Sequence, residues 1–340
     1  MATLLTRQRL LGSGRLPGSF ANFSPRTSCL QRRTMTGLIV PPEDVLTAIN
    51  QNAPTKISTS PRVIPVCAAW FLPNDPQRRV GIDAFKKSHL PNARFFDLEA
   101  VADTSSPYAH MLPSPQVFQE AMSALGIERD DRVVVYDTAE LGILSAPRVA
   151  WTFQIFGHPE VHILNNFKIW IEKGFPVETG DQKQFDRTEY PLSALDEGRV
   201  AKFLDVKHVA QDHNKEGREE IIILDARPTG RWKGTDPEPR PGLSSGHMPG
   251  SISLPHTELL NPNTKALLPA AELRKVFASK GVDGTKPIIS TCGTGVTASV
   301  IDAALTEAGL GQGDRKVYDG SWTEWASRVQ ARENLIVKQE

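Results

Sequence analysis

At 340 residues, with 39% apolar and 23% charged residues, the chain is long enough for two domains of ordinary size, each burying its own core. No uninterrupted apolar run approaches the roughly 20 residues a membrane helix needs, so no spanning segment is expected. Formal net charge is zero, but six of the 39 basic residues are arginines that precede the first acid, Glu43, which leaves 33 basic against 39 acidic residues in the body and argues against nucleic acid as a partner.

The six are Arg7, Arg9, Arg15, Arg26, Arg32 and Arg33. An Arg-rich, Ser/Thr-containing, acid-free stretch over 1–42 predicts a mitochondrial presequence and a matrix location. A basic tail with no address is the alternative, and a product starting at Met35 would stay cytosolic. Cysteine occurs at Cys29, Cys67 and Cys292, with no C-x-x-C pair and no zinc-type spacing. Neither a disulfide scaffold nor a metal site is expected, and no cofactor is called for.

Along the chain, the apolar run Pro65 to Trp70 reads as a buried strand, Ser88-His89-Leu90-Pro91-Asn92-Ala93 as a turn, and Val133 to Asp137 as a second buried strand. His158 and His162 flank a turn into a strand over Val161 to Leu164, with no carboxylate or thiol beside them to complete a metal site. A polar stretch with Gly180 and Pro191 reads as a linker over 178–200. The pattern then repeats. Ile223 to Pro228 and Gly246-His247-Met248-Pro249-Gly250-Ser251 follow their counterparts by 158 residues, and Ile288 to Cys292 follows Val133 to Asp137 by 155. Strands alternating with helical segments predict an α/β fold with parallel pairing, in domains over 43–177 and 201–335. Asp137 falls where the second copy has Cys292, so only the second copy holds a nucleophile.

A lone Cys after an apolar strand ordinarily packs as a small hydrophobe, as expected for Cys67. The residues after Cys292 point elsewhere. Gly293 and Gly295 open backbone conformations that let successive N–H groups turn inward as an anion nest, and the loop runs into a helix starting near Val296. The helix N-terminus favours a thiolate, or a persulfide on the same tether. Thr294 and Thr297 can aim hydroxyls at the sulfur, or simply cap the helix. Val296, Val300, Ile301 and Leu305 share one helical face, and Gly309 sits at the C-terminal cap position.

The loop Cys292-Gly293-Thr294-Gly295-Val296-Thr297-Ala298 resembles that of 3-mercaptopyruvate sulfurtransferases in the tandem-rhodanese superfamily. Phe95-Phe96-Asp97-Leu98-Glu99, Ser106 to Pro113, Ser145-Ala146-Pro147-Arg148, Gly234 to Arg240 and Tyr318-Asp319-Gly320-Ser321-Trp322 extend the resemblance over about residues 45–330. It implies two rhodanese-like domains, a mostly parallel sheet flanked by helices in each, with Cys292 taking sulfur from a small-molecule donor and passing it to a thiol such as thioredoxin, or to cyanide, in a monomeric protein. It further implies that Arg231 and Arg240 grip the substrate carboxylate and ketone, and that His110 lies near the substrate. Thiosulfate-using relatives carry a basic pair in the loop, so Gly293 and Thr294 favour monoanionic 3-mercaptopyruvate over thiosulfate. Two positions depart from the animal pattern: Glu99 replaces an Asp and Thr294 a Ser in a Cys, Ser, Asp relay, each keeping its functional group. A phosphatase is disfavoured because position 298 is Ala and the loop holds no cation. A non-catalytic rhodanese-like interaction module suits the first copy better than the whole chain.

Overall fold

The computed structural model describes residues 35–52, 61–217, 219–311 and 313–339. The expected presequence falls largely on residues outside these, as does Cys29. Its downstream edge is corrected: Met35 is buried and Ile39–Val40 is a sheet strand, so the first folded unit begins before residue 43. Thr34–Glu340 forms a single compact unit.

Among the described residues the strands are β1 (Ile39–Val40), β2 (Val63–Cys67), β3 (Arg94–Phe95), β4 (Arg132–Tyr136), β5 (Glu160–Leu164), β6 (Val200–Ala201), β7 (Ile222–Asp225), β8 (Ile252–Ser253), β9 (Ile288–Thr291) and β10 (Arg315–Tyr318). They form two five-stranded parallel sheets of identical order, β1-β5-β4-β2-β3 and β6-β10-β9-β7-β8. The repeat extends to the hydrogen-bond register. Val66 pairs with Arg94 and Leu224 with Ile252, and Cys67 pairs with Tyr136 where Asp225 pairs with Thr291. Asp137 and Cys292 are therefore equivalent, each following the last residue of a central strand. His89 and His247, 158 residues apart, bridge to Glu178 and Val337 and hydrogen-bond the carbonyls of Phe85 and Trp232.

Buried parallel strands carry apolar side chains on both faces. One core sheathes the outer face of the first sheet with Val45, Phe85, Phe167 and Trp170, and another covers the second sheet with Phe203, Val206, Trp322 and Trp325. The largest core is shared. It joins the inner faces of both sheets through the helices Ala146–Ile155 and Ala298–Ala308. The helix after the cysteine loop is consequently buried nearly all round and not on one face, because the first domain covers the side its own sheet leaves open. Gly309 caps it in the left-handed conformation, φ 69°, as expected. The segment between the sheets carries a short 3-10 turn at Glu197–Arg199 and is otherwise irregular, anchored by Tyr190, whose buried hydroxyl meets His158 Nδ1 at 2.8 Å. His158 Nε2 lies 2.8 Å from the Asp131 carbonyl and His162 Nδ1 2.7 Å from that of Gly37, so both histidines are structural.

Candidate active site

Cys292 leaves the C-terminal end of β9, where a parallel sheet delivers residues to the crevice at its edge. It is 2% exposed. The loop closes on Ser321, whose Oγ accepts from the N–H groups of Cys292 and Gly295, both at 3.1 Å, and donates to the Tyr318 carbonyl at 2.7 Å. Two amides of the expected nest are thus spent on a serine hydroxyl. The N–H groups of Gly293, Thr294, Val296 and Thr297 find no acceptor among the described residues. These four amides are available to an anion, and the helix proper starts at Ala298, two residues later than expected.

The glycines differ. Gly295 has φ +77°, and a Cβ there would lie 2.7 Å from Arg148 Nη1 and 2.9 Å from the Asp319 carbonyl oxygen. Gly293 has an ordinary φ, and no described residue lies within 4 Å of its would-be Cβ, so the expectation that both are conformationally required is corrected. Gly295→Ala is expected to cut turnover by about tenfold or more through displacement of the loop, while Gly293→Ala stays within about threefold, as steady-state rates on the two variants would show.

Thr294 is buried and its Oγ1 lies 2.9 Å from His110 Nδ1. The other ring nitrogen of His110, Nε2, is 4.0 Å from Glu99 Oε1, whose own hydrogen bond is from Trp70 Nε1 at 3.0 Å. The carboxylate and the loop hydroxyl therefore do not touch, and an imidazole stands between them. Trp70 also packs edge-on to the His110 ring, with centroids 4.6 Å apart. Burial, with the nearby charges of Arg148 and Arg240, pushes His110 down to about 3, so the ring is neutral at physiological pH. Its folded state resists protonation, so His110 contributes stability above the ordinary histidine range that is lost as pH falls from about 6.5 towards 3. Denaturation of His110→Gln should show a shallower loss of stability over that window than the parent chain.

Thr297 is the N-cap residue but makes no side-chain cap bond, so its hydroxyl is left to the cavity it lines with Gly293, Thr294 and Val296. Trp70, Leu72 and Leu144 of the first domain form the facing wall, and Ala226, Arg227, Pro228, Arg231 and His256 the rest. Arg231 lies on the short helix Thr229–Lys233 and Arg240 on the loop that follows, which is ordered from within. Buried Arg227 stacks on Trp322 at 3.9 Å and donates to Asp225 and to Glu238 Oε1 at 2.7 Å and the Gly246 carbonyl at 2.7 Å. Arg231 Nη1 is 3.7 Å from Glu238. Arg240 makes no hydrogen bond or ion pair among the described residues, and it is half-buried. Burial lowers its affinity for a proton, while Cys292, Glu238 and Glu99 act oppositely.

Cys67 is fully buried, and burial pushes its thiol up to about 12, so it is the inert packing residue expected. Ser321, Arg227, Arg148 and Asp319 are the contributors that sequence reading left without a role. Three of them stood in motifs used to recognise the family, but only contacts between segments distant in sequence reveal what each does.

A rhodanese-like domain model matches residues 207–328. The chain is 39% identical over 275 residues to thiosulfate sulfurtransferase TUM1 of Saccharomyces cerevisiae, covering 78% of this chain and 88% of that one. It is 38% identical over 266 residues to human 3-mercaptopyruvate sulfurtransferase, covering 77% and 84%. Among solved structures, the sulfur transferase subunit found sub-stoichiometrically in yeast mitochondrial complex I superposes with a TM-score of 0.77 at 38% identity, over 89% of this chain and all of that one.

Proposed function

Because the chain belongs to the thiosulfate and 3-mercaptopyruvate sulfurtransferase family and is a sulfurtransferase, we propose that its donor is 3-mercaptopyruvate and that sulfur travels as a persulfide on Cys292. The observation that carries this reading is the Cys292 cradle. It offers four amides without an acceptor among the described residues and no cation of its own, while Arg231, on the helix Thr229–Lys233, and Arg240, on the loop that follows, come from a different segment, Arg240 without an ion pair among the described residues. Charge for a donor carboxylate is thus separated from the place where sulfur is held.

In this mechanism Arg240 and Arg231 fix the carboxylate and ketone of the donor. The Cys292 thiolate attacks the donor sulfur; an S–S bond forms, the C–S bond breaks, and its electron pair leaves as the enolate of pyruvate, which takes a proton at carbon. The donor's thiol hydrogen remains on the outer sulfur. The amides of Gly293, Thr294, Val296 and Thr297 stabilise the sulfur anion, and Thr294, held by neutral His110 with Glu99 behind it, presents a hydroxyl to the departing oxygen. A thiol acceptor such as thioredoxin then attacks the outer sulfur and restores Cys292. The arginine-rich start and the relative in mitochondrial complex I support a mitochondrial address.

The relative named for thiosulfate supports a second reading, in which thiosulfate is the preferred donor. Mass spectrometry after incubation with each donor, together with kcat/KM for both, separates the two. One added sulfur on the Cys292 peptide and a higher kcat/KM with 3-mercaptopyruvate is expected; a higher value with thiosulfate would reverse the assignment.

A further inference from the structure

The first domain contributes a buried cation to the cysteine loop, and the mechanism above gives it no task. Arg148 is the third residue of the helix Ala146–Ile155 and is 1% exposed. Its Nη2 donates to the His110 carbonyl at 2.7 Å and to Asp319 Oδ1 at 2.5 Å. Among the described residues its Nε and Nη1 have no hydrogen-bond partner, and Nη1 lies against Gly295, within 2.7 Å of where a Cβ would stand. A fully buried guanidinium that leaves two nitrogens unsatisfied is costly unless something compensates.

The contacts bear on both halves of the site. His110 holds a positive φ of 64° and reaches Thr294 through its ring, so a bond to its carbonyl fixes the backbone from which that ring projects. Asp319 receives Arg148 on one oxygen and the Leu112 amide, at 2.9 Å, on the other, and its own carbonyl borders Gly295. Asp319 precedes Ser321 by two residues, and Ser321 closes the cysteine loop.

The helix bearing Arg148 has an anchor of its own. Asp137, at the position of Cys292 in the first copy, accepts from the amides of Leu144 (2.8 Å), Ser145 (3.2 Å) and Ala146 (2.9 Å) and from Ser145 Oγ (2.5 Å). A fixed carboxylate thus fills the cradle that the second domain keeps for sulfur, at the N-terminus of the helix that carries Arg148.

Resting on the sulfur-transfer reading above, we infer that Arg148 is a positioning residue of the Cys292 site: through His110, Asp319 and the face of Gly295 it sets the loop and the Thr294 hydroxyl together. The silent domain thereby supplies the cation that the cysteine loop lacks.

The test compares the full-length chain with Arg148→Met, Asp319→Asn and the double variant. Readouts are kcat and KM with 3-mercaptopyruvate, the rate of Cys292 alkylation by iodoacetamide at fixed neutral pH, and the thermal midpoint. Either single change leaves a buried charge unpaired and should lower the midpoint, whereas the double variant removes both charges and should recover much of it. Positioning predicts that kcat stays down by about 100-fold in Arg148→Met and in the double variant, with KM within about threefold and alkylation slowed in both. Arg148→Lys should recover part of the alkylation rate. A double variant with parental kcat and alkylation would overturn the inference, because Arg148 would then serve stability alone. If the parent chain gains no sulfur on Cys292, the functional reading fails instead, and the alkylation rates still decide on Arg148.

Discussion

Replacing Cys292 by Ser is expected to abolish persulfide formation and to lower turnover by about a hundred-thousandfold or more, with the fold intact, because the atom that accepts sulfur is lost. The hydroxyl is smaller than the thiol, and the cradle is held by backbone groups and Ser321, not by the sulfur itself. The Cys292 amide still donates to Ser321, and the Trp322 amide still donates to the Cys292 carbonyl, at 2.9 Å, whatever the side chain. The thermal midpoint of the variant should therefore match the parent within a degree or two, as expected for a nearly isosteric change. Mass spectrometry after exposure to 3-mercaptopyruvate checks the claim directly. Sulfur gained elsewhere, or turnover retained by the Ser variant, would remove Cys292 from the mechanism. Cys67 provides the internal control: buried and pushed up to about 12, it should neither alkylate nor gain sulfur in the native chain.

The second large effect is expected at Arg240. Changing it to Gln should lower kcat/KM for 3-mercaptopyruvate by about 30- to 100-fold, most of it in KM, since a charge-assisted bond to a carboxylate contributes about 2 to 3 kcal/mol. Arg231→Gln should cost less, because Arg231 already shares Glu238 with Arg227, whereas Arg240 has no such partner among the described residues. The contrast is physical. A half-buried guanidinium with no ion pair among the described residues gains most when an anion arrives. Michaelis constants for the two variants, with thiosulfate as the second donor, decide it. Equal effects of both substitutions would mean that Glu238 releases Arg231 on binding. No effect at Arg240 would place the donor carboxylate elsewhere.

The repeat was legible because parallel strands, buried on both faces, write themselves as continuous apolar runs, and a duplicated fold preserves their spacing. The offsets of 158 and 155 residues reappear unchanged in the ladders, down to the equivalence of Asp137 with Cys292. The glycine-flanked cysteine loop was legible for a related reason: a tight turn into a helix is a local event, dictated by few residues. Even so, the sequence made Gly293 and Gly295 look alike, and their difference is set by Arg148 and Asp319, which come from opposite domains. A presequence edge at 42 rests on composition, and composition does not register that Ile39–Val40 completes a sheet.

By itself, then, the sequence determined the two-fold α/β plan, the single candidate nucleophile, and the separation of the cysteine loop from its candidate arginines. Those follow from periodicity, residue identity and order along the chain. Only the tertiary structure decided how the parts meet. The imidazole of His110 stands between Glu99 and Thr294, Ser321 takes two of the loop amides, and Arg148 leans on Gly295 across the shared core. Apart from the approach of Glu99 to His110, each of these is a contact between residues 26 to 184 positions apart, and such contacts are fixed by packing of the two sheets against one pair of helices, which no local pattern encodes.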